Sequence, residues 1–504
     1  MSESTQSQSP GETKIAKLES TRTNGAFPAA VPDGRKKTPS KARLKLERDY
    51  FQSKVRTAAE RRAAGKALRD IVPRENHAEW KDSGDRLDPI DILIASNQGR
   101  LTELVPIRHG RMLTSPFAFL RGSAAVMASD LAQTPTTGIR VQACGDCHLM
   151  NFGAFATPER LLNFDINDFD ETLPAPWEWD LKRLAASFVV AGRYLNFKEG
   201  DSLASVERLV RAYRHRMARY AEMRALDVWY DHINIEQVMS EVSVARQKFM
   251  KARIEKARAR GVLEHDFPNL AESRNGRPRI KDNPPLIFHL RGSRSKEMRD
   301  AVFQGLRMYR HTLADPYRVL LDRFRFYDVA AKVVGVGSVG TMCLIVLFMA
   351  ADNDPLFLQV KQANASVLER YAGSSLYANH GQRVVMGQRL MQAASDMMLG
   401  WTVGRLAGRH FYMRQLRDMK LSAMLETFDP EALSAYGKVC GWTLARAHAR
   451  SGDPAMISGY LGNSDIFDQA IVKFASAYAD QTESDHRTMR KAVRDGRLEA
   501  AVIE

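Results

Sequence analysis

Residues 328–361, DVAAKVVGVGSVGTMCLIVLFMAADNDPLFLQVK, leave this chain few choices of fold. Three apolar, β-branched runs, at 328–336, 341–350 and 356–360, are separated by a glycine-rich turn and an acidic, proline-ended one. That pattern predicts three consecutive antiparallel strands. The run 342–351 carries no charge. It falls well short of the roughly 20 residues a helix needs to cross a bilayer, so no membrane span is expected and a buried strand is. Around this sheet the spacing predicts helices over 298–326, 383–399, 431–449 and 465–480. A sheet with helices gathered before and after it is an α+β protein.

At 504 residues, with 44% apolar and 26% charged residues, the chain is long enough for two or more compact units or one two-lobed enzyme. The opening MSESTQSQSPGETK has no apolar stretch of secretory type, and four cysteines cannot make a disulfide framework. A reducing cytoplasm is the expected location. The formal charge of +15 invites a nucleic-acid reading, but it is concentrated. Residues 35–74 hold fourteen Lys/Arg and four acids, and 246–260 hold seven and one. These net charges of +10 and +6 account for all of the excess. The rest of the chain is near neutral, which argues against specific nucleic-acid binding and leaves two basic segments suited to weak contact with anionic surfaces.

The boundaries follow from composition. Residues 1–42 read as a disordered tail, 43–85 as a basic helical segment, and 86–300 as a first globular part interrupted by the charged helix at 242–260. Residues 301–420 hold the sheet, and 421–504 supply closing helices. Within the first part, 115–132 reads as one helix, 138–143 as a strand, 151–156 and 160–166 as a hairpin, and 177–195 as a helix.

Chemistry concentrates in the loop Gly145-Asp146-Cys147-His148-Leu149-Met150-Asn151 and the acidic strand end Phe164-Asp165-Ile166-Asn167-Asp168-Phe169-Asp170-Glu171. A carboxylate and a carboxamide five residues apart can divide two tasks. Asp146 can orient an attacking hydroxyl while Asn151 ligates Mg²⁺ through oxygen, and a second carboxylate completes a hard-oxygen site that bridges nucleotide phosphates. These residues resemble the catalytic loop H-G-D-x-H-x-x-N of kinase-like phosphotransferases of the aminoglycoside and choline kinase type, with Cys144 in place of the first His. The resemblance implies that Asp146 is the catalytic Asp, His148 a loop-stabilising residue and Asn151 a metal ligand. The second metal carboxylate is Asp168 or Asp165. Counting forward from Asn151 points to Asp165. Counting back from Asp180, which resembles the Asp opening the family's next helix, points to Asp168, as does the Asp-Phe-Asp signature.

Gly335-x-Gly337-x-x-Gly340 between two strands, with Lys361 ending the third, resembles a kinase nucleotide lid. The resemblance implies ATP or another nucleoside triphosphate as cofactor, its phosphates held by the glycine backbone and Lys361, with Glu369 as the partner of Lys361. The strand 410–414 and residues 415–417 would form the hinge that meets the base. In ordinary kinases the lid precedes the catalytic loop, and here it comes after. Reading 301–504 first and 86–300 second restores the order, which implies a circularly permuted, protein-kinase-like two-lobed fold. That ordering requires Lys361 to lie within a triphosphate's length of Asp146 and Asp168. From residue 86 onward, SPFAFLRG, GDCHLMNFG, FDINDFDE, WEWDLKRLAAS, KVVGVGSVGT, LFLQVKQA and RQLRDMK also resemble the uncharacterised bacterial family called domain of unknown function 2252.

The expected activity is ATP/Mg-dependent phosphoryl transfer to a hydroxyl of a small molecule or a protein. A nucleotide-binding, pseudokinase-like regulator is the alternative. Metal-dependent phosphate-ester hydrolysis is the third reading, since GDxH also opens such enzymes, although none of the twelve His lies two residues from another. Arg108, Arg111 and Arg121 could hold an anionic substrate but read first as structural, as do Arg446, His448 and Asp453.

Overall fold

The computed structural model describes residues 54–81, 84–258, 267–274, 277–333, 335–350, 354–404, 408–416 and 419–501. The tail expected at 1–42 lies outside the described residues. The unit that begins at Arg56 is a mixed α+β structure.

The uncharged run becomes β6 (Cys343–Met349), flanked by β5 (Arg325–Lys332) and β7 (Pro355–Ala363). Two further strands, β8 (Gly400–Val403) and β9 (His410–Gln415), and the edge pair Ile287–Phe288 complete an antiparallel sheet ordered β8-β9-β7-β6-β5-edge. Its composition follows from alternation. Leu344, Val346 and Phe348 enter one core with Val302, Tyr309 and Leu313, of which the first two lie on α8 (Ser293–Thr312). Ile345, Leu347 and Met349 enter another core with Leu270, Ile280 and Ile287. A strand buried on both faces has no use for a polar position, which is why 342–351 lacks one. Among the described residues no helix is long and apolar enough to cross a membrane.

The larger core joins helices to the strands that carry the catalytic-loop motif. Here β1 (Arg140–Ala143) pairs with β4 (Leu173–Pro176), and β2 (Phe152–Ala156) forms a hairpin with β3 (Leu162–Ile166) through a turn in which Arg160 adopts φ +67°. The elements around them are α5 (Trp177–Tyr194), α6 (Glu199–Tyr220), α10 (Pro430–Ser451), α11 (Pro454–Leu461) and α12 (Ile466–Arg494).

Three expectations change. The helix expected at 115–132 is two, α3 (Pro116–Gly122) and α4 (Ala124–Leu131). The break falls where Arg183 takes the Leu120 carbonyl (2.8 Å) and Arg108 the Gly122 carbonyl (2.9 Å), carbonyls an unbroken helix would use internally. The helix expected at 383–399 is α9 (His380–Met391), capped by Asn379 and stopped well short of Leu399. The basic segments are also docked more than their composition suggests. α1 (Ala58–Ala67) starts with a Thr57/Glu60 capping box and lies against α11. The helices approach so closely that a Cβ on Gly65 would stand 2.0 Å from the Met456 carbonyl oxygen. Downstream, Arg69 and Arg74 cap the last carbonyls of α11. In α7 (Val244–Arg258), Arg246 holds Asp429 at 2.6 Å and Arg253 the Ser422 carbonyl at 2.9 Å.

Candidate active site

The catalytic-loop motif comes directly after β1 and is pinned by the helix that opens beyond it. Asp180, in the first turn of α5, accepts the Cys144 N–H (2.6 Å) and the Gly145 N–H (2.9 Å) on its two oxygens. His448 of α10 stands behind it at 3.3 Å and bonds Tyr213 on its other ring nitrogen (2.9 Å). Gly145 is required here: its φ is +83°, and a Cβ would lie 2.4 Å from the Glu171 carbonyl oxygen. The Cys144 thiol donates to the Asp168 carbonyl at 3.3 Å. A small buried cysteine thus ties the GDxHxxN loop to the acidic loop.

Arg183, one helical turn beyond Asp180, donates to Asp146 Oδ1 from Nε (2.8 Å) and Nη2 (2.5 Å). The side chain of Asp146 is 23% exposed, and its Oδ2 accepts no hydrogen bond from the described residues. His148 accepts the Met150 N–H on Nδ1 (3.2 Å), while its Nε2 stands 3.9 Å from Asp146 Oδ2. Burial pushes the His148 pKa down to about 4, so the ring is neutral at pH 7 and shapes the loop. Asn151 donates from Nδ2 to the Asp146 carbonyl (2.6 Å), and its Oδ1 accepts no hydrogen bond from a described residue. Tyr436 of α10 supports the loop by donating to the Leu149 and Phe152 carbonyls.

The two candidate carboxylates differ sharply. Asp165 is 1% exposed. Arg446 holds both of its oxygens (2.6 and 2.7 Å), and the Ala393 and Ile166 N–H groups take what remains. The side chain of Asp168 is 37% exposed. Burial would raise its pKa, but Lys361, Arg414 and Lys420 outweigh this and hold it down at about 2.

Lys361 reaches this loop from β7, 193 residues away in sequence, where it faces Tyr412 across the sheet. Its Nζ lies 2.7 Å from Asp170 Oδ2 and 3.4 Å from Asp168 Oδ1, and the Tyr412 hydroxyl donates to Asp170 Oδ1 (2.6 Å). Burial works against charge on Lys361, yet Asp168 and Asp170 keep it protonated. Glu369 is not its partner. The Ser366 N–H donates to Glu369 Oε1 (3.2 Å), and that oxygen lies 3.8 Å from His380 and 4.0 Å from Arg383. The reason is position: Glu369 sits on a single short turn, Glu369–Ala372, and α9 presents Arg383 to the Thr172, Asp170 and Asn364 carbonyls instead.

The glycine loop lies against the segment ahead of the catalytic loop. Gly335 (φ +70°) and Gly340 (φ +89°) make the turn. The Gly335 carbonyl takes Arg111 (2.5 Å), the Val339 carbonyl takes Arg100 (2.5 Å), and the Gly340 carbonyl takes the Leu101 N–H (2.7 Å). A Cβ on Gly337 would sit 3.0 Å from the Arg121 carbonyl oxygen. With the carbonyls engaged, the Gly337 and Gly340 N–H groups donate to no described residue. Beside the sheet, a cleft of about 390 Å³ is lined by Lys332 and Gln359 from strands, Asn167 from the acidic loop, and Gln415 and Leu416 at the expected hinge. Arg417 lies outside the described residues.

Sequence reasoning misses Asp170, Arg183 and Tyr412. Arg183 falls three residues after Asp180, and Tyr412 shares a strand face with Arg414 by alternation. Both spacings are visible in the chain, but which groups they meet is set by distant segments. Among the described residues no three His, Cys, Asp or Glu side chains form a group that could hold a metal ion by themselves. The family described as "Uncharacterized protein conserved in bacteria (DUF2252)" matches residues 100–492, and the chain belongs to it. Comparison with curated proteins and with solved structures finds no match.

Proposed function

We propose that this DUF2252 protein is an ATP- and Mg²⁺-dependent phosphotransferase of kinase-like, circularly permuted architecture, acting on a hydroxyl acceptor. The observation that carries the reading is the meeting of Lys361 with Asp168 and Asp170. A strand lysine beyond a glycine turn and an acidic loop beyond a GDxHxxN motif come together although nearly two hundred residues separate them. A chance motif at either place has no reason to meet the other.

In this reading the 390 Å³ cleft, which is of ordinary ligand-site size, takes the base and ribose. Lys361 and the free N–H groups of Gly337 and Gly340 take the phosphates. Asp168, ionised and accessible, and the Asn151 carboxamide are hard oxygen donors, and Mg²⁺ needs only one or two carboxylates beside phosphate oxygens and water. When bound, the ion would supply charge neutralisation on the phosphates. Asp146 accepts the acceptor's hydroxyl proton on Oδ2 while Arg183 fixes Oδ1. The acceptor oxygen bonds to the γ-phosphorus, the bond to the β–γ bridging oxygen breaks, and ADP leaves. Positioning and charge stabilisation carry this chemistry.

A second reading, a nucleotide-binding regulator without turnover, draws on one observation: Lys361 is already engaged by two carboxylates. Phosphate-ester hydrolysis at two metals needs a larger carboxylate and histidine cluster than the described residues gather. The test is ATP binding with Mg²⁺ and ATP turnover in the wild type and in Asp146→Ala. Binding with turnover that falls at least about a hundredfold in the variant is expected. Binding without turnover in the wild type selects the regulator, and absence of nucleotide binding refutes both.

A further inference from the structure

Cationic side chains crowd the region before the catalytic loop, and almost all are taken. Arg108 donates to Asn97 and the Gly122 carbonyl, Arg111 to the Gly335 carbonyl, Arg100 to the Ser96 and Val339 carbonyls, and Arg183 to Asp146 and the Leu120 carbonyl. Arg121 differs. It lies in the last turn of α3, half-buried, with its Nε sealed from solvent and without a hydrogen-bond partner. Its guanidinium makes no hydrogen bond or ion pair with any described residue. Its contact is with the Phe117 ring, 5.8 Å from the centroid. Sealing the Nε of a guanidinium without a partner is unfavourable, and the arginines around it are each paired through at least one nitrogen.

Its place in the site is defined on three sides. Leu120, the preceding residue, is held through its carbonyl by the same Arg183 that holds Asp146. The Arg121 carbonyl is the close neighbour of Gly337 in the glycine loop. Its charge is felt at His148, and Asp146 and Glu426 act on it without forming an ion pair. Both halves of the site are rich in cations, Arg121 and Arg183 near Asp146, and Lys361, Arg414 and Lys420 near Asp168.

Resting on the phosphotransferase reading, we infer that Arg121 is the anion-recognising residue of this site. It takes a pair of oxygens of a phosphate or carboxylate placed beside Asp146, in the two-pronged geometry a guanidinium offers. The anion is carried by the acceptor next to its reacting hydroxyl, or it is the γ-phosphate of the nucleotide. In the first case neutral polyols and plain alcohols are poor acceptors.

The test uses the full chain and calorimetric titration with inorganic phosphate, ADP and a non-hydrolysable ATP analogue, in wild type, Arg121→Gln and Arg121→Lys. Wild type is expected to bind phosphate both alone and with ADP present. Arg121→Gln should weaken phosphate binding about ten- to a hundredfold while ADP affinity stays within about twofold. Arg121→Lys, which keeps the charge without the fork, should fall between, and it decides the matter if the Gln variant does not fold. A matching loss in the analogue's advantage over ADP assigns the anion to the γ-phosphate. An unchanged advantage, with phosphate binding lost on the analogue-loaded protein, assigns it to the acceptor. The inference is overturned if wild type binds no phosphate, or if Arg121→Gln binds it as wild type does. Arg121-dependent phosphate binding without any nucleotide binding would refute the phosphotransferase reading alone.

Discussion

The two carboxylates at 165 and 168 can be told apart by a pair of isosteric substitutions, Asp165→Asn and Asp168→Asn. Arg446 is fully buried, and its Nε and Nη1 have no hydrogen-bond partner, so Asp165 is the group that compensates its charge. Neutralising Asp165 leaves a guanidinium uncompensated in the core, beside the like-charged Arg450. Removing one member of a buried pair costs about 3–5 kcal/mol. That is a large share of a net stability on the order of 5–15 kcal/mol. At about 1 °C per kcal/mol for a chain of this size, the melting midpoint should fall by roughly 3–5 °C. Asp168 is more than a third exposed, and Lys361 keeps Asp170 when Asp168 is neutralised, so that variant should lie within about 1 kcal/mol of wild type.

Activity should divide the other way. Asp168→Asn is expected to lose Mg²⁺-dependent ATP turnover by at least about a hundredfold at unchanged stability. Asp165→Asn, assayed below its lowered midpoint, should keep most of it. The double variant Asp165→Asn/Arg446→Met should recover part of the lost stability, because it removes both charges. Denaturant titration followed by tryptophan fluorescence, with turnover measured on the same preparations, reads both quantities. An Asp165→Asn protein as stable as wild type would refute the buried-pair argument. A stable Asp165→Asn that had lost metal dependence, beside an active Asp168→Asn, would refute the assignment of the metal carboxylate.

The contacts set three further outcomes. His148 and His77 are buried with pKa values pushed down to about 4 and about 3, below their unfolded value of 6.5. Their contribution is therefore complete above pH 6.5 and is lost as pH falls from there through the folded values. Each contributes up to about 1.4 kcal/mol per pH unit to the fall in stability. His148→Asn should remove about half of that slope between pH 6.5 and 4, and an unchanged slope in denaturation midpoints counts against the neutral ring. Gly145→Ala, strained at φ +83° and only 2.4 Å from the Glu171 carbonyl oxygen, should destabilise by about 2 kcal/mol or more and abolish turnover, checked by melting and assay. Asp170→Asn should change nucleotide affinity severalfold because Lys361 loses its nearer partner, whereas Glu369→Gln should leave it within about twofold. Equal effects in a titration would return Glu369 to the role expected from sequence.

The part of the fold that is legible in the chain is the local part. The uncharged run 342–351 announces a doubly buried strand because alternation has nothing polar to spare, and β2, β3 and α5 fall close to where turns and periodicity put them. Sequence favours Asp168 over Asp165 only narrowly, because their difference in environment lies in Arg446, 281 residues away from Asp165. The break at Ser123 is hidden for the same reason: the arginines that capture the Leu120 and Gly122 carbonyls come from other elements. The basic excess misleads in a related way. Counting charge between 35 and 74 suggests a patch for weak contact with anionic surfaces but does not show that Arg69 and Arg74 are the C-terminal caps of α11.

The replacement of Glu369 by Asp170 as the nearer partner of Lys361 changes how the two halves of the site are coupled. A helix-borne glutamate would tie the lysine to a separately moving element. Asp170 instead belongs to the loop that holds Asp168, and its other oxygen is fixed by Tyr412, the residue facing Lys361 in the sheet register. The sheet and the acidic loop are thus joined by one network, in which a buried lysine and tyrosine meet two partly exposed aspartates. A nucleotide phosphate arriving at Lys361 meets two carboxylates that already engage it, so its binding is strengthened when a cation arrives with it at Asp168. In the proposed enzyme, nucleotide and Mg²⁺ therefore bind cooperatively, and the apparent nucleotide affinity measured with EDTA should fall below that measured with Mg²⁺. Asp168→Asn should shrink that difference. A nucleotide affinity indifferent to Mg²⁺ in the wild type would mean that the Lys361–Asp168–Asp170 network is a structural clasp and that phosphates are held elsewhere.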